Sequence, residues 1–375
     1  HTHNAQKNMG YTEAEQQELL ALGERYRALS QAREQARAED MADLVRLIRY
    51  HEWRYYVLDS PILADVEYDA LFKLLEHLEA TFPTARRADS PTTRVGSDLS
   101  DDFASAVHLS PMLSLENSYD AEDLLDFDKR VKKLLGAEES TAVAYSVEPK
   151  FDGGTIVLRY VGDQLTLAAT RGNGIAGEDI SANARSIRTL PLSALFSRYG
   201  IHTAELRGEV LLAKSQFEAL NAQRLQRGEQ LLANPRNAAT GAIRLKSPAE
   251  VAARRLEVFV YQLSYAADAE GKEIPLSSLF ATHGATIDAL AALGFKTPTE
   301  GLERRQCADI QAVMAFAAEW AQRRDAYAYE IDGLVIKVDS LAVQQQLGYT
   351  SHHPRWASAH KFAARQATTR LAGIE

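Results

Sequence analysis

Apolar side chains recur every three to four positions along two stretches near the start of the chain, which predicts two amphipathic helices. Met41, Leu44, Val45 and Ile48 set up the first, within residues 41–58. Tyr68, Leu71, Phe72, Leu75 and Leu78 form the stripe of the second, with Asp65 as its expected N-cap. Ahead of them, residues 12–39 are charged, poor in aromatics and read as a further helix. Leu124, Phe127, Val131 and Leu134 predict an inward face for a helix over 121–135, stopped by Gly136. Beyond it the period shortens to two. TIVLRY (155–160) and QLTLAAT (164–170) flank Gly162-Asp163, a hairpin signal. AELRGEVLL (204–212), LEVFVYQL (256–263) and EIDGLVIKV (330–338) also read as strands, with helical segments such as 215–224 between them. Strands and helices do not alternate strictly, and no GxGxxG is present. The pattern predicts an α+β fold with mixed, mainly antiparallel sheets, preceded by a small helical domain. The turn-rich stretch 82–96, with Pro83 and Pro91, marks the boundary. The expected domains are therefore 9–90 and 91–368.

Composition narrows this picture. A chain of 375 residues, 46% apolar and 25% charged, suits two domains of an ordinary soluble protein. It has no run of eighteen apolar residues and no secretory leader, so a membrane span is not expected and a cytoplasmic location is. Residues 1–8, ahead of Met9, read as a vector-derived remnant. Cys307 is the only cysteine, which excludes an internal disulfide and a multi-cysteine zinc site in this sequence. The ten histidines offer no convincing helical metal pair, and no metal ligands are assigned. A net charge of −9 requires any nucleic-acid partner to be held by a local basic face or by further segments.

The densest chemistry lies in EPKFDGG, residues 148–154. Extended backbone sends Glu148, Lys150 and Asp152 to one face, and the glycines permit close approach of a ligand. An amine so placed suits attack on an electrophilic phosphorus. Lowering a lysine pKa from about 10.4 to roughly 7–8 needs about 3–5 kcal/mol, which burial and nearby cations supply. Taken alone, KFDG fits a turn lysine paired with Asp152 equally well. Other segments follow in order: TRGNGIAGEDI with Arg171, ELRGEV with Glu205, Arg207 and Glu209 on one face, EIDGLVIK ending in Lys337, and PRWASAHKF ending in Lys361.

Together these segments resemble the adenylation domain of bacterial NAD-dependent DNA ligases, from about Leu44 to Thr369. The blocks PMLSLENSYD (111–120), TRGNGIAGEDISANARSIRTLPL (170–192) and NPRNAATGAIR (234–244) agree, and HEWRYYVLDSPILADVEYDAL (51–71) resembles the small N-terminal domain of the NAD-dependent branch. The resemblance implies a nucleotidyltransferase fold in which Lys150 attacks the α-phosphate of NAD, releases nicotinamide mononucleotide (NMN) and becomes lysyl-AMP. The AMP then passes to the 5′-phosphate of a nick in double-stranded DNA. By the same resemblance Glu148, Ser114 and Leu115 lie around the adenine and Tyr261 stacks on it. Arg171 and Glu209 contact the ribose region. Asp332, Lys337 and Lys361 surround the phosphates with Mg2+, and Asp152 shares in catalysis. Tyr55, Asp65, Tyr68 and Asp69, with His51 nearby, hold the NMN half, and Arg236 and Arg244 contact DNA or the adenylated site.

Two positions depart from the family pattern: Asn173 stands where aspartate is usual, and His360 where an apolar residue is. Asp332 and Lys337 are five apart, so both reach one site only if the strand bulges near Gly333. The family continues into an OB-fold, a zinc module, helix-hairpin-helix motifs and a BRCT domain. Only residues 369–375 fit the start of that continuation, and zinc is expected only beyond it. The expectation is a monomeric fragment that adenylates itself but binds nicks weakly. An ATP-dependent ligase or capping-type enzyme, and an inactive nucleotide- or DNA-binding module, are the alternatives.

Overall fold

The computed structural model describes residues 10–99 and 102–363; the expectations for residues 1–8 and 369–375 lie outside them. Three helices open the chain: α1 (Glu13–Ser30), α2 (Asp40–Glu52) and α3 (Asp65–Thr81). They close over a core of Leu19, Tyr26, Met41, Leu44, Val45, Ile48, Leu71, Leu75 and Leu78. Both predicted stripes therefore face inward. The expected helix over 12–39 ends at Ser30, and a short turn, Arg33–Gln35, leads into α2. Asp65 is not the N-cap of α3. Ala64 is extended at the cap position, the Ala64 N–H is 3.4 Å from the Glu67 carboxylate, and Asp65 becomes the first helical residue. The aromatic run after α2 winds into one π-helical turn, Trp53–Val57, a form often found at functional sites.

The connection over 82–96 holds two short turns, Pro83–Ala85 and Pro91–Thr93. Arg94 then ties the helical region to the rest. Its Nε lies 2.7 Å from the Glu52 carboxylate, and its Nη1 donates to the carbonyls of Arg185, Ile187 and Leu190 at 3.0–3.1 Å. Both charges are buried, so the carbonyl bonds are needed to offset their desolvation.

The remainder is built on two sheets and a ribbon. The ribbon pairs β1 (Ser105–Val107) with β6 (Ala176–Glu178). One sheet contains β2 (Glu116–Ser118), β3 (Tyr145–Phe151), β9 (Arg305–Cys307), β10 (Ile331–Val338) and β11 (Ala357–Lys361), ordered β2-β11-β10-β3-β9. The other contains β4 (Gly154–Val161), β5 (Gln164–Thr170), β7 (Thr203–Leu211) and β8 (Glu257–Ala267), ordered β5-β4-β7-β8. Every pairing between these strands is antiparallel except β2 with β11. The hairpin between β4 and β5 turns at Gly162 and Asp163, both left-handed.

Helices cover each sheet. Leu124, Phe127 and Val131 of α4 (Ala121–Leu134) share a core with the first sheet; α5 (Lys214–Gln226) answers the helix predicted at 215–224. Ala238 and Ala239 of α6 (Pro235–Ala242) and Ile287 and Leu290 of α7 (His283–Ala292) pack with the second sheet; Phe316 and Trp320 of α8 (Ile310–Arg323) pack with the first. Leu134, expected inward, is exposed. Lys132 takes the buried place instead, its ammonium 2.7 Å from Asp128 and donating to the Glu139 carbonyl at 2.9 Å. No helix among the described residues is long and apolar enough to cross a membrane.

The bulge required near Gly333 is present as a register shift between Ile331 and Gly333. Gly333 pairs with Lys150 on one side and Lys361 on the other. A Cβ at Gly333 would fall 2.1 Å from the His360 carbonyl oxygen, whereas one at Gly96 would meet nothing within 4 Å. Gly333→Ala should therefore lower the unfolding free energy by about 1–3 kcal/mol in urea denaturation, and Gly96→Ala should change it little.

Candidate active site

Both sheets open onto a cleft of about 380 Å³. Its wall includes Glu148 and Lys150 of β3, Arg207 and Glu209 of β7, Tyr261 of β8, Lys337 of β10 and Lys361 of β11, with Ser114, Leu115 and Arg171 from loops. Three of these strands place a charge triplet. Asp332 Oδ2 lies 3.0 Å from Lys361 Nζ and 3.7 Å from Lys150 Nζ. Burial lowers the Lys150 pKa from its ordinary value; Asp332 opposes this, and the Lys361 ammonium adds to the lowering. Lys150 is not paired with Asp152, as a simple turn lysine would be. Asp152 instead lies 3.5 Å from Arg236, and burial raises its pKa despite that cation. Burial also pushes Glu209 up to about 7, against the Gly153 N–H (3.3 Å) and Lys150.

The far end of the cleft carries a second charged group. Glu148 is 1% exposed, with one carboxylate oxygen 3.0 Å from Lys337 Nζ and the other 3.3 Å from His283 Nε2. Burial alone would raise its pKa; Lys337 and then His283 outweigh that and hold it at about 2. Lys337 Nζ sits 5.6 Å from the centroid of the Tyr261 ring. Lys337 is thus at the Tyr261 end, and not with Asp332 and Lys361 as the resemblance implied. Its cross-strand partner on β3 is Ser146, four residues from Lys150, or roughly 13 Å along the strand. Counting residues from Asp332 identified the bulge but not which end of the cleft Lys337 serves.

The loop before β2 is pinned by β7. The fully buried Glu205 carboxylate accepts from the N–H groups of Leu109 (2.6 Å) and Ser110 (3.2 Å). Arg207 donates to the carbonyls of Ser110 (3.2 Å) and Pro111 (2.9 Å). The alternation in ELRGEV signalled both residues without revealing this task. Arg171 reaches Ser114 Oγ at 3.5 Å. The Asn173 side chain accepts from Ile175 N–H and Ala176 N–H at 2.9 Å, so it shapes its own loop. His360 Nδ1 lies 3.2 Å from Ser118 Oγ, and burial lowers its pKa. Tyr349 and Trp356 also line the cleft and had no distinguishing signal in the sequence.

A second cleft, of about 290 Å³, lies in the helical region. His51, Tyr55, Asp65, Tyr68 and Asp69 all line it, together with Tyr56 and Arg188, which the sequence reading missed. Burial, then Arg54, lowers the His51 pKa to about 4, and its Nδ1 is buried without a hydrogen-bond partner. Tyr55 is 45% exposed, while Tyr68 is half-buried and its pKa is raised by burial. Arg188 comes from the segment before β7; it donates to Tyr56 Oη at 3.0 Å and lies over that ring. The two clefts share no wall residue. Arg236 and Arg244 line neither; they pair at the surface with Asp152 and with Glu178, the latter at 3.0 Å. Among the described residues no three His, Cys, Asp or Glu side chains form a metal-binding group. Asp332 does retain one buried oxygen, Oδ1, without a hydrogen-bond partner.

Comparison with known proteins agrees with this architecture. Residues 100–365 match the family model described as the NAD-dependent DNA ligase adenylation domain, and residues 34–96 match the DNA ligase-like N-terminal NAD+-binding domain. The DNA ligase of Sulfurihydrogenibium sp. (strain YO3AOP1) is 49% identical over 367 residues, covering 97% of this chain and 51% of that ligase. The DNA ligase of Persephonella marina is 52% identical over 329 residues, covering 88% and 45%. That of Aquifex aeolicus is 46% identical over 332 residues, covering 88% and 44%. The chain spans about half the length of these curated relatives. It belongs to the NAD-dependent DNA ligase family, of which it carries the NAD+-binding and adenylation domains.

Proposed function

We propose that this chain transfers AMP from NAD onto its own Lys150 as the first step of sealing nicks in DNA. The observation that carries this reading is a partly buried lysine whose neighbours are one carboxylate and a second ammonium, at the floor of a nucleotide-sized cleft. Tyr261 offers an aromatic face for adenine. At that end Glu148 accepts from the exocyclic amine of the base and Lys337 donates to the neighbouring ring nitrogen. Arg171 and Glu209 serve the ribose, while Lys361 meets the phosphate oxygens.

The neutral amine of Lys150 then attacks the α-phosphorus. A P–N bond forms, the P–O bond to NMN breaks, and the electron pair leaves with the NMN phosphate. Asp332, 3.7 Å from Lys150 Nζ, is placed to take up the proton released from nitrogen. Catalysis of this kind rests on positioning and charge neutralisation. Mg2+ would be held chiefly by the phosphate oxygens, with Asp332, whose Oδ1 has no hydrogen-bond partner, as the protein ligand, and it would supply further neutralisation of their charge.

In this reading residues 9–90 recognise the NMN half. Tyr55, Tyr56 and Tyr68 present aromatic faces to a cationic nicotinamide ring, with Asp65 and Asp69 beside them. Residues 91–368 form the adenylation domain. Arg236 and Arg244 exchange their carboxylate partners for the phosphates of nicked DNA. The protein works as a monomer in the cytoplasm.

Intact-mass measurement after exposure to NAD should show one added AMP, and exposure to ATP should show none; the reverse would identify an ATP-dependent enzyme. Lys150→Arg keeps the charge but provides no usable neutral amine, so it should capture no AMP. Tyr55→Ala should raise the KM for NAD roughly 2- to 30-fold, the value of a lost cation–π contact. In a full-length ligase it should spare the use of pre-formed AMP-enzyme on nicked DNA. Equal loss of both activities would point to misfolding.

Glu209 provides a pH test of the unliganded cleft. Its carboxyl titrates near 4.5 when unfolded and near about 7 when folded, so the unfolded state releases its proton first. The group therefore costs the fold nothing below 4.5 and an increasing amount as pH rises to about 7. Glu209→Gln should be more stable, relative to the unsubstituted chain, at pH 8 than at pH 4, by up to roughly 3 kcal/mol in denaturant titrations.

A further inference from the structure

We propose that His283 is a positioning residue that sets base specificity by holding Glu148 in place. This rests on the reading of the larger cleft as the adenosine site. His283 does not line that cleft. Its imidazole is 4% exposed, and Nε2 lies 3.3 Å from the Glu148 oxygen that faces away from Lys337. Burial and then the Lys337 ammonium lower its pKa, which keeps the ring neutral with one N–H to donate.

The backbone around His283 is secured without the ring. Thr282 caps α7 through its hydroxyl, which accepts from Ala285 N–H at 3.0 Å. His283 N–H donates to the Asp339 carbonyl at 2.7 Å, and Gly284 N–H donates to the Asp339 carboxylate at 3.1 Å. Among the described residues, the imidazole's one side-chain hydrogen-bond partner is Glu148. The ring therefore serves the carboxylate and is not needed to start the helix.

Its effect follows from the two charges at that end of the cleft. Glu148 and Lys337 are already within 3.0 Å of each other. A carboxylate released by His283 would be free to rotate, turning both oxygens toward the ammonium and engaging the donor meant for the base. Adenine presents a ring-nitrogen acceptor beside an amine donor. Hypoxanthine presents the opposite, a ring N–H donor beside a carbonyl acceptor. Reading that difference requires an acceptor and a donor held at separate, fixed places, because a mispaired buried group is costly.

The test is single-turnover adenylation of the whole chain, followed by intact mass, with NAD or nicotinamide hypoxanthine dinucleotide as donor. The unsubstituted chain should prefer NAD. His283→Leu should lose at least ~10-fold of that preference, chiefly through a higher KM for NAD, while its thermal unfolding stays near that of the unsubstituted chain. His283→Gln, which returns an N–H donor at the position of Nε2, should restore the preference. Retained preference in His283→Leu, or equal loss with both donors that Gln does not rescue, would overturn the assignment. Failure of the unsubstituted chain to take AMP from NAD would instead sink the adenylation reading beneath it.

Discussion

Two ammonium groups share a single carboxylate at the floor of the larger cleft, and the rest of the site is arranged around that imbalance. Asp332 bonds more closely to Lys361 than to Lys150, at 3.0 Å against 3.7 Å. Lys150 is left half-satisfied in a partly buried setting, where burial lowers its pKa from the ordinary value. The sheet enforces the arrangement through Gly333. This residue stands directly between Lys150 and Lys361 in the register, and its missing side chain lets β10 and β11 approach without a clash. The register shift beside it turns the Asp332 carboxylate toward both lysines.

Two of the same strands, β3 and β10, carry a second pair of charges at the other end of the cleft. Glu148 and Lys337 are more deeply buried than the Lys150 group, and their charges are matched. A matched, buried pair suits recognition, because each partner fixes the other in place. A mismatched, half-open triplet suits chemistry, because it destabilises one protonation state. Alternation along β3 sends Glu148 and Lys150 to one face, and register does the rest. The loop carrying Ser114 and Leu115 is held against this floor by Glu205 and Arg207.

Much of this was legible in the residues alone. The stripes of α2 and α3 are amphipathic enough to stand out, and Gly162-Asp163 turns as its composition requires. The bulge at Gly333 followed from requiring two charges five residues apart to serve one site. What escaped was set by distant partners. His283 meets Glu148 across 135 residues, and Arg188 meets Tyr56 across 132, so no local pattern marks either. Lys337 was expected beside Asp332 and Lys361 and lies farther along β10 beside Glu148, because alternation specifies a face and not a position along it. Lys132 displaced Leu134 from the core because a long aliphatic stem with a paired head buries as well as leucine. Asp65 lost the cap position to an extended Ala64, and its carboxylate was left to line the smaller cleft.

The central claim is that the cleft holds Lys150 closer to its neutral form than an ordinary lysine. The most direct measurement is an NMR titration of the Lys150 side-chain ammonium in the unliganded chain, assigned with Lys150→Arg. A midpoint below the ordinary value of 10.5, moving upward in Lys361→Gln, is the result the account predicts. A midpoint at or above 10.5, unmoved by loss of Lys361, would contradict it.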